Sequence, residues 1–301
     1  MAISEDQLTT WAKPGANVGS AETYGIIKNA LVGTDTGEQK FSVFLQGSYG
    51  NSTNVIRDSD VDVVVQMDTI HYRDTSRLPP PQLAAYKLVY KDAAYTYTDF
   101  KKAVTTQLTK KFESYIVPGK KATLIKGDNS GRRNADVLIA AKFRRYHAFH
   151  SLGNETYDEG LCFFLADGTR IANFPVLHAD NCIAKNKDTG GYFKDTVRIF
   201  KNIRNHLIDK KKLAEGIAPS YYIEGLLCSA PNPHFGTNYA TTFYNVFQWL
   251  WNVDRTTLMC AHGLDPLLGE GSPTAWPAQN CTDYLSAVAE CWNNWGKARW
   301  I

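Results

Sequence analysis

Gln46-Gly47-Ser48-Tyr49-Gly50-Asn51 and, after a short polar segment, Asp60-Val61-Asp62-Val63-Val64-Val65 form the stretch that decides the reading of this chain. Phe41 to Leu45 (FSVFL) leads into it as a short apolar run that reads as a strand. The valines that follow Asp60 are β-branched, the side-chain class that fits a pleated sheet. Along a strand, residues two apart share a face. Asp60 and Asp62 therefore present two carboxylates side by side, while Val61, Val63 and Val65 turn to the core. Carboxylates that close repel each other, and a divalent cation supplies the counter-charge that lets both ionise. Magnesium takes hard oxygen ligands and keeps phosphates among them. Upstream, a glycine just after a strand lets backbone N–H groups converge on an anion, and Ser48 adds a hydroxyl donor. A phosphate nest followed by paired carboxylates is what phosphoryl transfer needs, because that chemistry is mostly positioning and charge neutralisation.

A two-metal site needs a third acid facing the first two. Asp136 is the candidate: it opens the apolar run Asp136-Val137-Leu138-Ile139-Ala140 after a polar turn, and that strand is expected antiparallel beside the Asp60–Asp62 strand. A lone D-x-D or a lone Gly-Ser is weak, since edge strands often begin with acids. The joint pattern of strand, Gly-Ser, D-x-D within a valine strand and a later strand-initial Asp is far less common by chance.

Outward from this stretch, Ser20 to Leu31 carries apolar residues at helical spacing, as does Asp99 to Tyr115, which bears Lys101, Lys102, Lys110 and Lys111. Pro79-Pro80-Pro81 reads as a loop or linker. Lys120 to Ile125 and Ala135 to Ala140 read as strands either side of the turn Gly127 to Arg133. Cys162 to Leu165 and Arg170 to Phe174 flank Asp167-Gly168, a hairpin signal. After Pro175 the pattern turns helical, over Thr196–Ile208, Tyr221–Cys228, Tyr239–Asn252 and Tyr284–Trp295. The fold class is α+β, with a mixed-sheet first part over residues 1–175 and a helical lobe over 176–301.

Composition is that of an ordinary soluble protein: 301 residues, 44% hydrophobic and 21% charged. A net charge of +3 is too balanced for nucleic-acid binding by bulk charge, so any anion site must be local. The six cysteines form no C-x-x-C pair and no zinc spacing, and read as reduced thiols. The first residues lack the basic and apolar regions of a signal peptide, and no apolar run reaches membrane-spanning length. These features predict a cytoplasmic protein with no membrane partner.

The stretch Gln46-Gly47-Ser48-Tyr49 through Asp60-Val61-Asp62 resembles the signature of the polymerase-β-like nucleotidyltransferase superfamily. Asn134-Ala135-Asp136-Val137-Leu138, Phe200-Lys201-Asn202-Ile203-Arg204-Asn205 and Pro219-Ser220-Tyr221-Tyr222-Ile223-Glu224 are similar to the bacterial cGAS/DncV-like nucleotidyltransferases, the CD-NTases of the CBASS anti-phage systems. That resemblance implies a palm lobe, a helical lobe and an active site in the cleft between them. It implies a synthase that joins two or three nucleoside triphosphates into a cyclic second messenger for a separate effector protein. Asp60, Asp62 and Asp136 would be catalytic and hold Mg²⁺ or Mn²⁺. Gln46, Gly47, Ser48, Lys201, Ser220 and Tyr221 would hold nucleotide: Lys201 as a point charge, Ser220 as a hydroxyl donor and Tyr221 as a stacking face. Asn173 matches an asparagine of pyrimidine-using members, and its donor and acceptor suit a uracil edge. The resemblance therefore points to cyclic UMP-AMP or cyclic di-UMP.

The same residues admit plainer roles: a solvated Lys201, a helix-capping Ser220, a core Tyr221, an Asn173 satisfying a turn. Two other functions share the motif, a nucleotidyltransferase acting on RNA 3′ ends or a small-molecule acceptor, and an inactive nucleotide-binding protein. The absence of a zinc cluster speaks against a DNA-sensing insertion. The Lys101–Lys111 patch reads as a solvated helix face, so no nucleic-acid activator is expected.

Overall fold

The structure is a computed structural model and describes residues 2–15, 18–55, 60–128, 130–272 and 274–297. Along the chain run α1 (Glu5–Ala12), α2 (Val18–Ala30), β1 (Phe41–Leu45), the one-turn α3 (Gly47–Gly50) and β2 (Val61–Asp74). Then come α4 (Pro80–Val89), α5 (Tyr97–Phe112), β3 (Ile116–Pro118), β4 (Thr123–Ile125), β5 (Ala135–Ser151), β6 (Asn154–Phe164) and β7 (Arg170–Asn173). The rest is helical: α6 (Pro175–Asp188), α7 (Tyr192–Asp209), α8 (Ser220–Ser229), α9 (Tyr239–Asn252) and α10 (Ala278–Asn294).

Two compact units emerge. The first covers residues 17–46 and 59–175 and is built on one sheet. Its strands run β1-β2-β5-β4-β3, with β6 beside β5 and β7 beside β6. Val61, Val63, Val64 and Val65 are all buried, as expected of a strand covered on both faces between two neighbours. The expected antiparallel pairing of the Asp136 strand is corrected here: β2 and β5 run parallel, with Asp62 opposite Asp136. The reason lies in the connection, since the chain between them is long enough to carry α4, α5, β3 and β4 back across the sheet. The triple proline is also not a linker. Pro79 precedes α4 and Pro80 opens it, a position where the missing N–H costs nothing and the fixed φ suits a helix. α5 starts with a Thr96/Asp99 capping box and buries Phe100, Val104 and Leu108 at four-residue spacing. Its four lysines stay exposed.

The second unit holds residues 176–301 together with 1–16 and 47–58. A single cut after residue 175 therefore does not describe the packing. α1 buries Leu8 and Ala12 in the core made with α7 to α10, packing on α7 and α9. α7 lies through the middle of this unit and buries Arg198, Lys201 and Arg204 along with its apolar face. Charge that far from water must be paired, and the partners of these cations shape the site.

Candidate active site

In the sheet unit, Asp60 stands immediately before β2 and is exposed; Asp62 is its second residue and half-buried. The Val61 amide donates to the Asn134 carbonyl at 2.9 Å, which starts the ladder to β5 and sets the register. Asp136 then sits opposite Asp62 on one side and Leu124 of β4 on the other. The start of β5 is fixed by its approach turn. The Asn134 side chain accepts from the Gly127 amide at 2.8 Å, and a Cβ on Gly127 would stand 2.6 Å from the Arg132 carbonyl oxygen. Burial, and then the charge of Asp60, push the Asp136 carboxyl above its ordinary range. Asp60 is thus close enough to act on Asp136, whose negative charge is resisted. A hard oxygen donor whose charge is disfavoured in this way, beside two further carboxylates, fits a divalent cation.

Gln46 lengthens the β1–β2 ladder, its amide donating to the Asp62 carbonyl at 3.0 Å, while its side-chain Oε1 is buried without a partner. At the far end of the sheet, Asn173 closes β7 opposite Leu161. Its Oδ1 accepts from the Phe174 amide at 2.9 Å. Gly160 is obligatory beside it, because a Cβ would meet the Asn173 carbonyl oxygen at 2.4 Å. The turn-satisfying role for Asn173 is therefore real; it occupies the carbonyl end of the amide, and the NH₂ end makes none of the hydrogen bonds described.

In the helical unit, Gly47 adopts φ +68° and opens α3, with the Asn51 amide donating to the Gly47 carbonyl at 3.0 Å and the Thr53 amide to the Ser48 carbonyl at 2.9 Å. α3 packs against α8. Pro219 caps α8, so Ser220 is its first helical residue rather than its cap, and its Oγ accepts from Arg204 at 3.1 Å. Tyr221 lies half-buried against the His178 ring, centroids 5.2 Å apart and tilted 31°. Burial raises its phenol far above the ordinary range, so it stays neutral.

Lys201 is not the solvated lysine of the plainer reading. It is fully buried, and its ammonium donates to Glu224 Oε1 at 2.7 Å, Thr53 Oγ1 at 3.1 Å and the Thr53 carbonyl at 3.2 Å. An ammonium has three N–H groups, and all three are used. Glu224, the last residue of the Pro219–Glu224 motif, is the centre of the network. Its Oε1 accepts from Lys201 and from Thr53 at 2.5 Å; its Oε2 accepts from Asn51 at 2.9 Å and meets His178 Nε2 at 2.7 Å. Burial would raise this carboxyl, but the Lys201 charge and the His178 hydrogen bond outweigh it and hold the group below the ordinary carboxylate range. Its place on α8, one turn after Ser220-Tyr221, was readable; that Asn51, Thr53 and His178 would converge on it was not, because they are far apart in sequence.

His178, Cys182 and Glu224 also place three ligand-type atoms within 4.8 Å of one another, all buried. With two donors on each oxygen, however, Glu224 has no lone pair to offer a metal. A Cys228 hydrogen bond and burial further raise the Cys182 thiol away from the thiolate a metal would need.

Three comparisons bear on this geometry. Residues 180–293 match the cGAS/DncV-like nucleotidyltransferase C-terminal helical domain. The chain is 34% identical to a cyclic UMP-AMP synthase of Rhodothermus marinus, over 99% of this chain and 100% of that protein. It is 35% identical to the cyclic dipyrimidine nucleotide synthase CdnE of Legionella pneumophila, over 82% and 84%. The solved structure of Rhodothermus marinus CdnE c-UMP-AMP synthase with Apcpp and Upnpp superposes with a TM-score of 0.88 at 33% identity, covering 98% of each chain. With Asp62 in register with Asp136 and Asp60 just ahead of the same strand, a helical domain of the matching kind and a relative aligned over 99% of this chain, this chain belongs to the cGAS/DncV-like nucleotidyltransferases, metal-dependent enzymes that build cyclic nucleotides.

Proposed function

We propose that this protein joins a uridine nucleotide to a second nucleotide as a cyclic dinucleotide, cyclic UMP-AMP or cyclic di-UMP, with release of pyrophosphate. The observation that carries the chemistry is the register of Asp62 against Asp136, with Asp60 immediately ahead of the strand. In this reading Asp60, Asp62 and Asp136 hold Mg²⁺ or Mn²⁺, which would neutralise phosphate charge and lower the barrier to ionising the attacking ribose hydroxyl. The chain's own residues do the rest. Gly47 and Ser48 cradle the triphosphate with backbone amides and a hydroxyl. Ser220 adds a donor that Arg204 orients, and Tyr221 offers a neutral face to a base. Gln46 ties the triphosphate loop to the strand that bears the acids. Lys201 serves this site without touching phosphate.

Family membership leaves the bases open. The uridine reading rests on Asn173, whose carbonyl is committed to the Phe174 amide and whose NH₂ can donate to a pyrimidine carbonyl. The relative from Rhodothermus marinus, named for a UMP-AMP product, supports it. The product would act on a separate effector in anti-phage defence. No helix among the described residues is long and apolar enough to cross a membrane.

Incubation with all four nucleoside triphosphates and Mg²⁺ or Mn²⁺, then phosphatase and mass spectrometry, tests both parts. A phosphatase-resistant product containing uridine is expected. Only linear or RNA-tailed products would overturn the cyclase reading; a purine-only cyclic product would overturn the base reading alone.

A further inference from the structure

The segment that follows Ser48 is held in an unusual conformation by buried charge. Ser52 has φ +56°, a left-handed backbone that a non-glycine residue adopts only when its surroundings impose it. Its carbonyl accepts from Arg198 at 2.7 Å, and the Arg198 Nε–H donates to the Ala12 carbonyl. The residues on either side, Asn51 and Thr53, give their side chains to Glu224. Lys201 reaches Thr53 twice and Glu224 once. One carboxylate and one ammonium, both out of water, therefore fasten the loop from α3 to α7 and α8. The same helix, α8, carries Ser220 and Tyr221 one turn earlier.

We infer that the Lys201–Glu224 pair is a positioning device that sets the Gly47–Ser48 turn at a fixed distance from Ser220 and Tyr221, so that the triphosphate and the base of one nucleotide are received together. This rests on the proposed nucleotide site. It reassigns Lys201 from a phosphate ligand to a residue acting through Thr53 and Glu224. A buried pair of opposite charges holds a loop with more specificity than apolar contact can, since each partner tolerates only the other's geometry.

The test separates the two roles of Lys201 by rescue. A non-hydrolysable nucleoside triphosphate is titrated against the full-length wild type, Lys201→Met, Glu224→Gln and the double variant, with thermal unfolding alongside. A positioning pair predicts that each single change weakens binding about tenfold or more by leaving one charge buried and unpaired, and that the double change recovers it to within about threefold of wild type. A phosphate-touching Lys201 predicts that the double variant binds as poorly as Lys201→Met alone, and that result overturns the inference. If the single variants unfold, Asn51→Ala and Thr53→Val carry the test, since each removes one donor from Glu224 and leaves the ion pair. Weaker binding at unchanged Tm supports the inference, and wild-type binding overturns it. Because the readout is binding, a wild type that binds the analogue yet makes no cyclic product would sink the proposed reaction and leave this inference standing.

Discussion

Asp136 in the sheet unit and Glu224 in the helical unit are both withdrawn from water, and their electrostatic surroundings are opposite in sign. In the sheet unit, Asp136 is disfavoured as an anion by burial and by Asp60. In the helical unit, Glu224 is more deeply buried yet held firmly ionised by Lys201 and His178. Depth of burial alone would rank them the other way. What decides is whether the protein supplies the counter-charge from its own side chains. Glu224 has received its cation and become structure; Asp60 and Asp136 repel one another and suit a cation from outside the chain.

The largest effect expected from breaking that contrast is on turnover. Asp60→Ala with Asp62→Ala should reduce cyclic product by on the order of a thousandfold or more while Tm moves little, since neither carboxylate is part of the core. Quantitative product analysis beside thermal unfolding checks both halves. Glu224→Ala should do the reverse first, costing about 3–5 kcal/mol of stability by stranding Lys201, which a denaturant titration reads directly. Asn173→Ala should lower the share of uridine in the product about tenfold, the worth of one hydrogen bond of roughly 1.4 kcal/mol, at unchanged fold.

A smaller effect tests the sign at Asp136. Its folded carboxyl holds the proton more tightly than the unfolded chain does, so stability is lost as pH rises past the ordinary carboxylate value toward the raised one. Without divalent metal, Asp136→Asn should therefore melt about a degree or two higher than wild type at neutral pH, and the gap should close at low pH. Added Mg²⁺ should raise the wild-type Tm and leave that of Asp136→Asn nearly unchanged. The smallest effect is expected at the exposed lysines of α5. Changing Lys101, Lys102, Lys110 and Lys111 to Ser should leave product formation intact and shift stability by no more than about 0.5 kcal/mol each. A loss of activity restored by added nucleic acid would contradict the reading of that face as merely solvated.

Much of this was legible before any coordinates. The valine run and the period-two spacing of Asp60 and Asp62 already imply a buried strand with two acids on one edge, because strand geometry is local. The spans of α2, α5, α7, α8 and α9 were readable for the same reason, within a few residues at each end, whereas α10 begins six residues before the expected Tyr284 and α1, α4 and α6 were not read as helices. The place of Asp136 at a strand start was readable. Its strand's direction was not, since parallel or antiparallel pairing depends on how the intervening chain returns to the sheet. The triple proline failed in the same way: local sequence marks it as a breaker, and only the packing of α4 decides that Pro80 begins a helix.

The sequence by itself determined the local pieces: two acids spaced two apart at a strand start, a glycine turn after β1, and a helical second half, each specified by neighbours in the chain. Tertiary structure alone decided which charges are spent internally. Lys201 and Glu224 lie in different helices, Thr53 and Asn51 in a loop, and His178 in a third helix, and no spacing rule links them. A buried charge acquires its role from whatever the fold brings within hydrogen-bonding reach. That is a property of the packed interior, where an unpaired ion is too costly to persist, and it cannot be read from any one segment.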